Sequence, residues 1–325
     1  MDRLDTPFYP PLAPHASGHL PVDDLHRIYW EAYGNPDGIP MVMLHGGPGG
    51  GIRPYHCRMF DPARFRVIVF DQRGCGRSTP FACLERNTTQ LLVEDIEALR
   101  RELGVERWIV VGSSWGSALG VTYAETHPES CLGVLVFGVI VERQEDLWWW
   151  WHGVRYVFPE VWEAFRGHLP PEEWGDLRGN YVRRVLDADP AVHGPAALAW
   201  LRYEAQTLDV WPDDAFIAGF TLSQAVVGAA RIFAHYDRHD FFLGDTQLLD
   251  GAHRLAGVPG VILNGRFDMC TPPRTAWDLH KAWPGSELVI APVSGHRWMD
   301  PILGREVVQA IRRLGDLAEA RLSGA

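Results

Sequence analysis

The sequence predicts an α/β chain: a mostly parallel, doubly wound sheet with an inserted helical cap. Three observations lead there. Apolar runs of strand length alternate with helix-period segments; one such run feeds the turn Gly112-Ser113-Ser114-Trp115-Gly116; and between about Val141 and Asp250 the pattern becomes helical, punctuated by Pro159, Pro170-Pro171, Pro190 and Pro212. The expected division is a core of residues 1–140 and 251–325 with a cap insertion at 141–250. A chain of 325 residues that is 46% hydrophobic can bury a core of that size.

In chain order, His26–Tyr33, Met41–His45 and Phe65–Asp71 read as strands, and Leu91–Leu103 as a helix ended by Gly104. The short link Glu106-Arg107 then leads into the strand Trp108-Ile109-Val110-Val111 and the Gly112–Gly116 turn. A strand, sharp turn and helix of this kind form a nucleophile elbow. Its central residue is held in a strained conformation, and side chains on the flanking residues would strike the neighbouring strand and helix. Ser114 would therefore present its hydroxyl at the top of the sheet. Gly133–Phe137 gives the next strand.

The region read as cap holds eight of the 14 tryptophans, including the run Trp148–Trp151. Four consecutive residues cannot share one helix face, so some should pack inside and others, taken as Trp148 and Trp149, should line the cleft. Beyond the cap, Gly260–Leu263 is a strand that delivers Asp268, and Leu288–Ala291 runs into His296.

A serine hydroxyl needs a base, and the base needs an orienting carboxylate. Taken alone, Asp268 could be a turn-former before Pro272-Pro273, and His296 one loop histidine among 14. Placed after successive strands, they complete the chain order Ser114, Asp268, His296, which is the order of an α/β-hydrolase fold. The strand Met41–His45 opens into Gly46-Gly47-Pro48-Gly49-Gly50-Gly51, a loop whose bare N–H groups can approach a substrate oxygen. Gly46 and Gly47, with the N–H of Trp115, are the expected oxyanion hole. Neither a Lys-Ser/Thr at P-loop spacing nor a G-x-G-x-x-G follows a strand, which argues against a phosphate cradle.

The sequence motifs His45–Gly50, Asp71-Gln72-Arg73-Gly74-Cys75-Gly76-Arg77-Ser78 and Ser113–Ser117 resemble those of the prolyl aminopeptidases, also called proline iminopeptidases. The similarity runs from Tyr9-Pro10-Pro11 through Ile28-Tyr29-Trp30 and Asn87-Thr88-Thr89 to Ala282-Trp283-Pro284. The resemblance implies the same triad, Ser114, Asp268 and His296, and assigns recognition of the free amino terminus to cap glutamates. Glu204, in Tyr203-Glu204-Ala205, matches one. At the second, Phe233 stands where the family has glutamate, with Asp237 one helical turn beyond as a possible substitute. Ser113, Cys270-Thr271 and Arg297-Trp298 are smaller departures.

The resemblance therefore implies a serine hydrolase that releases N-terminal proline through an acyl-enzyme, with Glu204 and Phe233 in the substrate site. Two alternatives stand beside it: an amide or ester hydrolase for an apolar or aromatic specialised metabolite, and a non-hydrolytic member of the fold. Ser114 itself excludes the aspartate nucleophile of dehalogenase or epoxide chemistry. No cofactor and no metal are expected. The net charge of −11 argues against nucleic acid or an anionic membrane as partner. Met1-Asp2-Arg3-Leu4-Asp5 lacks the basic and apolar regions of a signal peptide, and five cysteines without zinc-like spacing fit a reducing cytoplasm. The expected partner is a small molecule or short peptide; the sequence leaves the oligomeric state open.

Overall fold

A computed structural model describes residues 7–323 apart from Pro212. The reading of Met1–Asp5, and that of Pro212 as punctuation, lie outside the described residues. Eight strands form one sheet: β1 (Ala16–Pro21), β2 (Arg27–Gly34), β3 (Ile39–Leu44), β4 (Phe65–Asp71), β5 (Trp108–Ser113), β6 (Cys131–Phe137), β7 (Gly260–Gly265) and β8 (Glu287–Ala291). Their spatial order is β1-β2-β4-β3-β5-β6-β7-β8. The β1-β2 and β2-β4 pairs are antiparallel and every other pair is parallel. This is the α/β-hydrolase arrangement.

Side-chain alternation explains why the sheet is covered on both faces. Met41, Met43, Ile109, Val111, Leu135 and Phe137 point to one face, where Leu303, Val307, Ile311 and Leu314 of the last helix cover them. Val42, Leu44, Val110, Val134 and Val136 point to the other, beneath Leu92, Ile96 and Leu99 of one helix and Ala118 and Val121 of the next. These covering helices are α1 (Thr89–Glu102) and α2 (Trp115–Thr126). Thr88 caps α1 by accepting from the Leu91 N–H, and Gly104 follows its end.

β1 is absent from the sequence reading. It is a six-residue edge strand whose residues alternate between half-buried and exposed, and it ends in a proline that an edge tolerates. Its apolar content is too low to stand out as a run.

Between β6 and β7 the chain forms α3 (Gln144–Trp151), α4 (Pro159–Gly167), α5 (Leu177–Val185), α6 (Pro190–Thr207), α7 (Asp214–Ala218), α8 (Gln224–Arg238) and α9 (Gln247–Gly251). The first four and α8 share a core of their own, built on Trp150, Trp151, Trp162, Phe165, Tyr181, Trp200, Tyr203 and Ala234. Phe165 stacks between Tyr181 and Tyr203, with ring centroids 4.1 Å from each. Two helices complete the chain: α10 (Pro273–Ala282) and α11 (Pro301–Ser323). Among the described residues no helix is long and apolar enough to cross a membrane.

Candidate active site

Ser114 joins β5 to α2 at φ 54° and ψ −129°, a backbone conformation rare for any residue with a side chain. The neighbouring glycines show why the turn is so tight. A Cβ on Gly112 would lie 2.0 Å from the Gly116 carbonyl oxygen, and one on Gly116 would lie 2.1 Å from that of Leu44. The Ser114 N–H donates to the Phe137 carbonyl at 3.0 Å, which ties the elbow to the end of β6. Trp115 is the first residue of α2, so its N–H has no partner within the helix and faces the same end of the sheet.

His296 reaches that point from the loop after β8. Its ring lies against Gly138, where a Cβ would come within 2.8 Å of Cε1. Its Nδ1 is 2.8 Å from Oδ2 of Asp268, a fully buried carboxylate on the loop after β7. Asp268 is itself held: Oδ1 accepts from the Thr271 N–H at 2.7 Å, and Oδ2 from the Thr271 hydroxyl at 2.7 Å. Asn264 fixes this loop by donating to the Thr271 carbonyl while accepting from the Val139 N–H. Burial alone would drive His296 toward its neutral form. The Asp268 charge and hydrogen bond, with Glu204 and Asp209 nearby, outweigh it and raise the imidazole above its ordinary value. With Nδ1 donating to Asp268, Nε2 is the nitrogen left to act as base.

Gly46 packs directly on the serine, since a Cβ there would sit 3.0 Å from that of Ser114. The loop it belongs to is pinned by His45, whose neutral form is favoured by complete burial. His45 Nδ1 donates to the Gly46 carbonyl at 2.9 Å, and Nε2 accepts from the Gln72 N–H at 3.1 Å. The Gln72 amide in turn donates to the His45 carbonyl and accepts from the Trp115 indole, at 2.9 Å each. Gln72 thus couples the glycine loop to the nucleophile helix, a task that the motif around it did not disclose on its own.

A partly open cavity of about 580 Å³, its mouth included, lies over these groups. Ser114, Gly47, Glu204, Phe233, Cys270 and Thr271 line it, together with Ile140, Glu142, Leu147, Trp150, Trp151, Asp237 and Phe241. Trp148 and Trp149 do not line it, which corrects the expectation for both. Trp148 is half exposed, and Trp149 turns to donate its indole N–H to the Met269 carbonyl at 2.7 Å. Leu147, Trp150 and Trp151, spaced i, i+3 and i+4, form the buried face of α3, so the run contributes its second pair to the wall.

Phe233 lies against Trp150 and Trp200 in the cavity wall. Asp237 does sit one turn beyond it, but its carboxylate is committed: Oδ2 takes Arg178 Nε at 2.9 Å and Oδ1 the Trp151 indole at 3.3 Å. Glu204, on α6, differs. No described residue hydrogen-bonds or ion-pairs with its carboxyl, and burial raises it to about 7, with nearby His296 opposing the rise. Glu142 escaped the sequence reading altogether. Its place five residues beyond β6, where loops at the carboxyl ends of strands gather into a site, is the one signal it offers.

The alpha/beta hydrolase fold family matches residues 39–297. A "Probable proline iminopeptidase" from Leptolyngbya boryana is 44% identical over 307 residues, covering 94% of this chain and 96% of that protein. The proline iminopeptidase of Xanthomonas citri is 44% identical over 310 residues, 95% of this chain and 98% of its own. Among solved structures, the proline iminopeptidase of Mycobacterium smegmatis superposes with a TM-score of 0.61 at 22% identity, covering 94% of this chain and 100% of that one, a likeness of fold.

Proposed function

The chain belongs to the α/β-hydrolases and, within them, to the proline iminopeptidases, and we propose that it removes N-terminal proline from short peptides with Ser114, Asp268 and His296 as its catalytic triad. The observation that carries this reading is Glu204, an unpaired carboxyl in the wall of the same cavity as Ser114. Leaving a carboxyl without a partner in a half-buried wall costs stability that a ligand of opposite charge offsets. A free amino terminus does so, whereas an apolar metabolite does not.

In this reading the substrate ammonium meets Glu204 and the prolyl ring packs on the aromatic wall. His296 Nε2 takes the Ser114 proton as Oγ attacks the prolyl carbonyl; Asp268 holds the imidazolium that results. The oxyanion is met by N–H groups of Gly47 and Trp115, with Gly46 shaping the loop. His296 then protonates the leaving amine, and water resolves the acyl-enzyme. We assign residues 141–250 to a cap over the core of 1–140 and 251–325. Five unpaired cysteines support a cytoplasmic setting.

The test compares a prolyl arylamide, an alanyl arylamide and a short-chain aryl ester. Preferential cleavage of the prolyl compound is expected; ester turnover without prolyl cleavage would defeat the reading. Glu204→Gln should raise KM for the prolyl arylamide by roughly tenfold or more beyond any change for the ester. Because the amine needs ionised Glu204, which titrates near 7, kcat/KM for the prolyl substrate should climb more steeply with pH through that value than ester turnover does. In Glu204→Gln the difference between the two pH profiles should shrink.

A further inference from the structure

Glu142 is a buried carboxyl that the scheme above leaves unused. It sits at φ 59° on the loop after β6, is only 4% exposed, and lines the same cavity as Ser114 and Glu204. Its Oε1 is buried without a hydrogen-bond partner. The cations nearby are already engaged, Arg178 by Asp237 and Asp240, and Arg143 by Asp146 and Asp278. Burial and the negative Asp146, Asp237 and Asp240 push the Glu142 carboxyl well above the usual range, against the pull of Arg178. Cys270 ties the two glutamates to one patch of wall: its thiol is pushed up by burial and then by the charges of Glu204, Asp268 and Glu142.

Of the four carboxyls that line the cavity, Asp146 and Asp237 are taken by Arg143 and Arg178, which leaves Glu204 on α6 and Glu142 on the loop after β6 without a cation among the described residues. Phe233 gives the wall between the sheet and α8 no charge. We propose that Glu142 is a specificity-determining residue that holds the substrate ammonium jointly with Glu204, one carboxylate from the loop after β6 and one from α6. The prolyl nitrogen suits this arrangement. As a secondary ammonium it carries two N–H donors, which two separate carboxylates satisfy completely, whereas a primary amine leaves a third donor to be met. This inference rests on the aminopeptidase reading and deepens it.

Steady-state kinetics of the wild type and Glu142→Gln on a prolyl arylamide and a short-chain aryl ester, with urea unfolding of both proteins, test it. The expected result is a rise in KM for the prolyl arylamide that exceeds the change for the ester by roughly tenfold or more. The urea midpoint of Glu142→Gln at neutral pH should hold or increase, because a buried carboxyl whose pKa is raised by folding costs stability there that a non-titrating amide does not. Equal effects on both substrates, or an unchanged KM for the prolyl compound, would overturn the role of Glu142 while leaving the aminopeptidase intact. If the wild type turns over the ester but not the prolyl arylamide, the aminopeptidase reading fails by itself. Glu142 is then read by competitive inhibition of ester hydrolysis with pyrrolidine against neutral cyclopentanol. A preference for the cation that Glu142→Gln removes supports the cation site; no preference in the wild type eliminates it.

Discussion

Replacing Ser114 with alanine should reduce kcat/KM for a prolyl arylamide by roughly 10⁴- to 10⁶-fold, leaving only what the oxyanion groups and substrate positioning provide. The elbow backbone would change little, since its tightness comes from the flanking glycines: Cβ atoms on Gly112 and Gly116 would approach carbonyl oxygens at 2.0 and 2.1 Å. Circular dichroism and the urea midpoint of Ser114→Ala should therefore match the wild type. Asp268→Asn should cost about 10⁴-fold in kcat by losing the carboxylate that fixes the His296 tautomer. The two losses should not add in the double variant, because the residues act as one unit. Ser114→Ala retaining a tenth of the wild-type activity would remove the serine from the chemistry.

The second large effect concerns stability. Arg73 is 2% exposed and forks onto Asp95, which is 1% exposed, with both N–O distances 2.7 Å. Its remaining nitrogen, Nη1, donates to Asp23 at 2.8 Å and to the Arg86 carbonyl at 2.7 Å. Arg73→Leu would strand the Asp95 carboxylate in the core and should lower unfolding stability by about 3–5 kcal/mol, read from urea denaturation. Arg73→Leu/Asp95→Leu should recover much of that loss, because the penalty comes from the orphaned charge more than from the missing pair. Activity should fall along with stability in the single variant. The Arg73 carbonyl accepts from Asn87, which also accepts from the Tyr236 hydroxyl, and the next residue upstream, Gln72, braces Trp115 and the glycine loop. Equal stability of Arg73→Leu and wild type would refute this account.

The sheet and the order Ser114, Asp268, His296 were legible because each rests on a local pattern, an apolar run followed by a turn residue. Edge strand β1 was not, since half of its residues face water and carry no apolar signal. The members of the Trp148–Trp151 run are chemically identical, and the pair that meets the cavity is the one that shares the buried face of α3 with Leu147. Asp237 could be placed by helical arithmetic, but its engagement by Arg178 comes from a different helix, α5, 59 residues away in sequence. Glu142 lies in a loop with left-handed backbone, where no periodicity announces direction. Thr271 appeared only as a departure from a pattern, although its hydroxyl and N–H together grip Asp268.

The helices over the sheet are fastened on opposite flanks. The His296 N–H donates to the Leu208 carbonyl at 2.6 Å, and the Trp149 indole grips the Met269 carbonyl. On the far flank, the Tyr236 hydroxyl and the His235 ring both bond Asn87. Helices tied down at both hems cannot lift from the sheet without breaking the bond at the backbone of His296, so any widening of the cavity there would tug on the residue that carries the base.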